Sequence, residues 1–177
     1  NMKIGLCGTM SVGKTTLVKA LQELPEFKNY KFATERSKYL NDLGIPLNTD
    51  STLKGQTVFL AERCAELMNE DIITDRTIFD VMAFTMNAKS IGHYDKEIFE
   101  SYAKEFIREY DYIFYISPDG IPIEDNGVRE TDEHYRDIID FSIVSLIRKY
   151  GHMVDNIETI KGSTEERIEQ MLNVIEF

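Results

Sequence analysis

Apolar residues in this chain fall into short β-branched or aromatic runs, separated by longer stretches where they recur at helical spacing. MKIGLC, Met2 to Cys7, predicts a short buried strand, and Gly8 to Gly13 a loop. Lys14 to Leu24 predicts a helix with Leu17, Ala20, Leu21 and Leu24 on one face, ended by Pro25. A second strand is expected at Tyr30 to Thr34, then a short helix at Glu35 to Leu43 stopped by Gly44. Thr52 to Asn69 reads as a long amphipathic helix, Glu70 to Thr74 as a third strand, and Ile78 to Lys89 as a helix. Ile91-Gly92-His93 breaks that pattern, and Lys96 to Glu109 resumes it. Asp111 to Ser117 is the fourth strand expected, and Pro118 to Gly127 an irregular acidic loop. Thr131 to Tyr150 carries an apolar stripe of Ile138, Ile139, Ile143, Leu146 and Ile147 and ends at Gly151. A fifth strand is expected within His152 to Lys161, and Ser163 caps a last helix in a capping box with Glu166.

Strand and helix alternate throughout, which predicts a parallel sheet covered by helices on both faces. Without a repeat, linker or low-complexity segment, residues 2–177 read as a single α/β domain. The 177 residues, 42% hydrophobic and 29% charged, suit one globular core. No apolar run approaches the length of a membrane span, and the N-terminus reads as lacking a signal peptide. Cys7 and Cys64 lack the spacing of a disulfide framework or a zinc site, so buried free thiols in a cytoplasmic protein are expected. His93, His134 and His152 are too scattered to form a metal site, and the methionines read as core filling. The net charge of −11 disfavours a duplex-DNA binder, because DNA affinity comes largely from Lys and Arg releasing counterions.

Candidate chemistry begins at Gly8. Gly8-Thr9-Met10-Ser11-Val12-Gly13-Lys14-Thr15 matches G-x-x-x-x-G-K-[ST] between the first strand and the first helix. In such a loop the glycines let backbone N–H groups converge on a phosphate, and the helix adds its positive end. Lys14 then supplies charge to the β- and γ-phosphates, and the Thr15 hydroxyl is suited to Mg²⁺. Residues Gly8 to Thr16 are therefore the expected ATP contacts, with ATP and Mg²⁺ as cofactors.

Catalytic groups of a parallel sheet belong at the carboxyl ends of its strands. Asp75-Arg76-Thr77 follows the third strand: Asp75 is either a metal-side or proton-accepting acid or a helix cap, and Arg76 a phosphate or carboxylate partner or a surface residue. Glu35-Arg36 follows the second strand: Glu35 is an acceptor-side acid or a first-turn residue, and Arg36 a substrate contact or a solvated side chain. Arg129 and Arg136 suit a lid over residues 118–137 that closes on a triphosphate, the alternative for Arg136 being an ion pair with Asp132, Glu133 or Asp140 on a solvated face. Tyr110, Tyr112, Phe114 and Tyr115 read as strand and core rather than a base-stacking platform.

Several of these pieces together resemble the P-loop kinases and ATPases typified by the ribosylnicotinamide kinase domain of the bacterial NAD-biosynthesis regulator. The pieces are Gly8 to Thr16, Thr34 to Ser37, Gly55-Gln56, Asp75 to Asp80, Ser117 to Asp119 with Asp125 to Arg129, and Lys161 to Ser163. Asp75-Arg76-Thr77 also looks like the acid-Arg-Ser/Thr element of nucleoside and thymidylate kinases. The resemblance implies a five-stranded sheet ordered 2-3-1-4-5 and an arginine-bearing lid. It implies that Lys14 and Thr15 bind ATP–Mg²⁺, that Glu35 and Asp75 are the acceptor-side and metal-side acids, and that Arg129 is the lid arginine. The expected activity is transfer of the ATP γ-phosphate to a nucleoside, nucleotide or pyridine riboside, with a homodimer left open as the assembly. Two other readings stay open: a kinase acting on a hydroxyl within DNA, as in some related phage enzymes, and an acceptor-independent ATPase.

Overall fold

In the computed structural model, residues 2–34, 37–46, 48–119 and 133–177 are described, and they alternate strand and helix as the hydrophobic pattern requires. The strands are β1 (Lys3–Cys7), β2 (Lys31–Ala33), β3 (Ile72–Asp75), β4 (Tyr112–Ile116) and β5 (Asn156–Ile160). The helices are α1 (Lys14–Gln22), α2 (Ser37–Asp42), α3 (Leu53–Glu66), α4 (Ile78–Met86), α5 (His93–Ala103), α6 (Glu133–Tyr150) and α7 (Thr164–Val174). All strand pairs are parallel, in the order β2-β3-β1-β4-β5. This is the expected order, and it puts β1 and the loop that follows it at the middle of the sheet.

The period of two along each strand divides the core between the two faces. Ile4 and Leu6 of β1 join Tyr112, Phe114 and Ile116 of β4 against Leu17 and Leu21 of α1 and Met171 of α7. Cys7 and Ile113 lie in the opposite cluster with Ile78, Phe79 and Met82 of α4, Phe99 of α5, and Ile139 and Ile143 of α6. Helices thus cover both faces, which explains why the inner strands read as nearly continuous apolar runs. Gly5 brings one junction close to the sheet: a Cβ there would lie 2.5 Å from Thr77 Cγ2 and 2.9 Å from Tyr110 Cε1.

Several boundaries differ from the expected ones, for local reasons. The last α1 turn gives way at Glu23, and Pro25 opens a 3₁₀ turn, Pro25–Phe27. Extended Gly92 serves as N-cap, so α5 starts at His93 rather than Lys96, and the expected long helix tightens to 3₁₀ over Lys104–Glu109. A 3₁₀ turn at Gly151–Met153 delays β5 to Asn156. Met10, Met82 and Met171 fill the core as expected, whereas Met68 is 83% exposed. Cys7 is a buried free thiol, while Cys64 is only half-buried.

Candidate functional site

The loop after β1 turns through two left-handed residues, Ser11 (φ 59°) and Gly13 (φ 83°). Gly13 is the N-cap of α1 and has no side chain to cap it, and the first turn of α1 contains no acid. The positive end of α1 therefore opens toward the loop. Gly8 allows close packing, because a Cβ there would meet the Ile116 carbonyl at 3.1 Å and Val12 Cγ2 at 3.2 Å. Lys14 is buried, and its ammonium donates to the carbonyls of Gly8 and Thr9. Met10 and Val12 insert their side chains into the two core clusters, one on each side, so they act on the loop as apolar anchors. Thr9 is buried and donates from Oγ1 to the Arg136 carbonyl at 2.9 Å. Thr15 and Thr16 lie exposed on the first turn of α1.

The end of β3 lies beside the start of this loop, with Asp75 in register with Leu6. Asp75 is only 2% exposed and is the last strand residue, so the helix-cap alternative for it does not hold. The cap of α4 is Thr77, in a capping box with Asp80. Arg76 between them has φ 100°, and its N–H donates to Leu6 O at 3.0 Å. A non-glycine residue in that region is strained by about 1–3 kcal/mol. Rather than lying on the surface, its guanidinium is buried 4.9 Å from the centroid of Phe84.

Asp80 was not among the expected site residues, although the Thr-x-x-Asp spacing encodes its capping role. It is fully buried and accepts from Gly8 N at 3.0 Å, Thr77 N at 2.7 Å and Thr77 Oγ1 at 2.9 Å. One carboxylate thus ties the phosphate-type loop to the Asp75-Arg76-Thr77 turn. It also bears on Cys7, whose thiol is pushed well up, first by burial and then by the Asp80 charge. Cys7 therefore stays protonated and is no nucleophile.

Arg136 is 4% exposed, so it does not sit in an ion pair on a solvated face. Its Nη2 donates to the Pro118 carbonyl at 2.9 Å. Arg136 thus joins the loop, through its own carbonyl, to the end of β4. Nearby, the Tyr115 hydroxyl donates to Asp140, and burial raises both groups above their ordinary values. Arg63 is a further buried charge that sequence reasoning missed; it forms a bidentate pair with Glu66, Nε to Oε2 at 2.8 Å and Nη2 to Oε1 at 2.6 Å. The i,i+3 spacing signalled that pair, but not its burial. Arg167 of α7, also missed, reaches the loop from the far end of the chain and donates to Val12 O at 2.6 Å.

Glu35, Arg36 and Arg129, and most of the expected lid, lie outside the described residues. Among the described residues no three His, Cys, Asp or Glu side chains form a metal cluster, and no helix is long and apolar enough to cross a membrane. Of the two expected Mg²⁺ ligands, Thr15 is exposed on the first turn of α1 and Asp75 is buried at the end of β3. Such an ion characteristically keeps few protein ligands and completes its shell with phosphate oxygens and water. Two left-handed residues, a buried lysine and an uncapped helix end fit an anionic phosphate chain.

A family described as an AAA domain matches residues 3–167. No curated protein sequence matches the chain. Among solved structures, deoxyadenosine kinase from M. mycoides with bound dCTP superposes with TM-score 0.64 and 19% identity, covering 98% of this chain and 100% of that one. NadR protein in complex with NR gives TM-score 0.76 and 16% identity over 98% of this chain, which spans about half (51%) of the length of NadR. Thymidylate kinase from Candida albicans gives TM-score 0.66 and 15% identity over 99% of this chain and 91% of that one. At these identities the likeness establishes the fold, which is that of P-loop nucleoside and nucleotide kinases.

Proposed function

The chain belongs to the AAA domain family over residues 3–167, and we propose that it is an ATP-dependent phosphotransferase acting on a hydroxyl or phosphate of a nucleoside-like small molecule. The observation that carries this reading is the loop from Gly8 to Thr15, with buried Lys14 and with Asp75 beside it at the end of β3. The fold shared with kinases of nucleosides and nucleotides supports the acceptor class.

In this reading the backbone N–H groups of Gly8 to Thr16 and the end of α1 bind the triphosphate, and Lys14 moves from its own loop carbonyls onto the β- and γ-phosphates. When bound, Mg²⁺ neutralises charge on those phosphates; Thr15 and Asp75 hold it. Glu35 is the acceptor-side acid, with Arg36 and Arg76 as acceptor contacts, and either Glu35 or Asp75 takes the proton of the acceptor hydroxyl. Arg129 and Arg136 supply positive charge from the lid. Dependence on ATP and the free thiols Cys7 and Cys64 agree with a cytoplasmic location.

The deciding experiment measures phosphate transfer from ATP across a panel of nucleosides, nucleotides and pyridine ribosides. Turnover should rise strongly with the right acceptor, and Lys14→Ala should lower it about 10²–10³-fold while leaving the fold intact. Glu35→Gln and Asp75→Asn should each lower turnover, with the larger loss marking the acceptor base. An ATPase rate indifferent to every acceptor would favour a second reading, an acceptor-independent ATPase, which the AAA domain match supports. Labelled phosphate on hydroxylated DNA but not on free nucleosides would select a DNA-directed kinase.

A further inference from the structure

Arg167 is unusual for a buried charge. It is 4% exposed, yet its one hydrogen bond among the described residues runs to a neutral acceptor, the Val12 carbonyl at 2.6 Å. Its Nε is buried without a partner, and no carboxylate pairs with it among the described residues. Buried arginines are normally matched by an acid, because removing a cation from water costs several kcal/mol unless another charge compensates. This guanidinium lies against the phosphate-type loop instead: a Cβ at Gly13 would come within 3.1 Å of its Nη1.

We infer that Arg167 is a positioning residue of the nucleotide site, whose missing counter-charge is the polyphosphate enclosed by the loop. The inference rests on the nucleotide-binding reading above. Two effects follow from the geometry. By engaging the Val12 carbonyl from outside, Arg167 fixes the peptide plane that follows, so that the next N–H, that of Gly13, is oriented away from the guanidinium. And its charge, held in a low-dielectric setting behind the loop, favours phosphates on the opposite side through the backbone. Gly13 thereby has two roles, a left-handed φ and the clearance that lets the guanidinium approach. Arg167 also makes α7 part of the site, although α7 touches the loop from the other end of the chain.

The test compares wild type with Arg167→Met, which keeps the stem and removes the charge, and Arg167→Lys, which keeps the charge and loses the fork. Calorimetry reads the affinity for ATP, ADP, AMP and adenosine with Mg²⁺ present, and thermal melting without nucleotide reads the fold. The Met variant should melt close to wild type, since it removes an uncompensated buried charge. Its affinity should fall about tenfold for ATP, less for ADP and AMP, and not at all for adenosine, in proportion to phosphate charge. The Lys variant should recover most of the loss for ATP. A Met variant that binds ATP like wild type overturns the inference, as does one whose affinity for adenosine falls as far as that for ATP. A Lys variant as weak as the Met variant also overturns it. Wild-type protein that takes up no Mg–ATP would instead overturn the nucleotide reading itself.

Discussion

Asp80 shows how one side chain can set the shape of a site without touching a substrate. Its two oxygens hold Gly8 N–H on one segment and Thr77 on another, fully out of water. Asp80→Ala removes an N-terminal capping box and strands a buried N–H, so it should cost about 2–4 kcal/mol in urea denaturation. Asp140 carries a different kind of prediction. Burial is the main cause that raises its carboxyl, with Asp119 and Asp137 adding to the rise while Tyr115 and Arg136 oppose it. A carboxyl raised on folding contributes its stability below the ordinary carboxylate value and loses it as pH climbs through the folded value. Asp140→Asn keeps an acceptor for the Tyr115 hydroxyl and abolishes the titration. Its melting temperature should therefore gain on wild type as pH rises from 3 to 7 (about one carboxylate's span,), and a gap that stays flat with pH would refute this. Local roles such as the Ser163–Glu166 and Thr77–Asp80 boxes are written in adjacent residues, and the first of them was read correctly from sequence. Arg136 and Arg167 could not be placed that way, because the atoms they engage, at Pro118 and Val12, are fixed only by tertiary packing.

Elements were legible in type and uneven in extent. The alternation of strand and helix, and the loop between β1 and α1, follow from hydrophobic period and glycine placement, which are local signals. Ends were less legible, since the hydrophobic stripe of a helix often outlasts its hydrogen bonds. At α5 the shift arose because Gly92, read as a breaker, is instead an extended N-cap (φ −68°, ψ 158°) for a helix that starts immediately after it. That backbone suits any L-residue, and a Cβ there meets nothing within 4 Å. Gly92→Ser should supply the side-chain cap that α5 lacks and reduce the freedom of the unfolded chain, adding about 0.5–1 kcal/mol. A small upward shift of the denaturation midpoint with an unchanged slope would bear this out; a downward shift would mean that the N-terminus of α5 is held by something other than its cap. At the site, Asp75 meets the loop because the strand order places β3 beside β1, with Leu6 in register with Asp75; that order came from the family resemblance and not from the hydrophobic pattern.

At the scale of the molecule, the loop on β1 is tied to α4 by Asp80, to α6 by Thr9 and to α7 by Arg167, so both faces of the sheet hold it. Polyphosphate binding on such a loop should stabilise the chain as one unit. We expect a single heat-denaturation transition, raised by Mg–ATP by the equivalent of about 2.7 kcal/mol at a hundredfold excess over Kd. Two transitions, only one of them moved by nucleotide, would divide the chain into separate units. The net charge of −11 bears on the acceptor at the same scale. A kinase that phosphorylates a strand must first hold its backbone, and each phosphate it neutralises releases a counterion, which makes affinity fall steeply with salt. With 31 acidic against 20 basic side chains, the mean field here opposes that step, whereas a nucleoside carries little charge and pays almost nothing to enter the same field. Duplex and single-stranded DNA should therefore show no measurable retention at about 50 mM salt, the condition that most favours ionic binding. Retention there, with a salt slope corresponding to several phosphate contacts, would place a basic groove on this acidic molecule and move the acceptor from a free nucleoside to a strand.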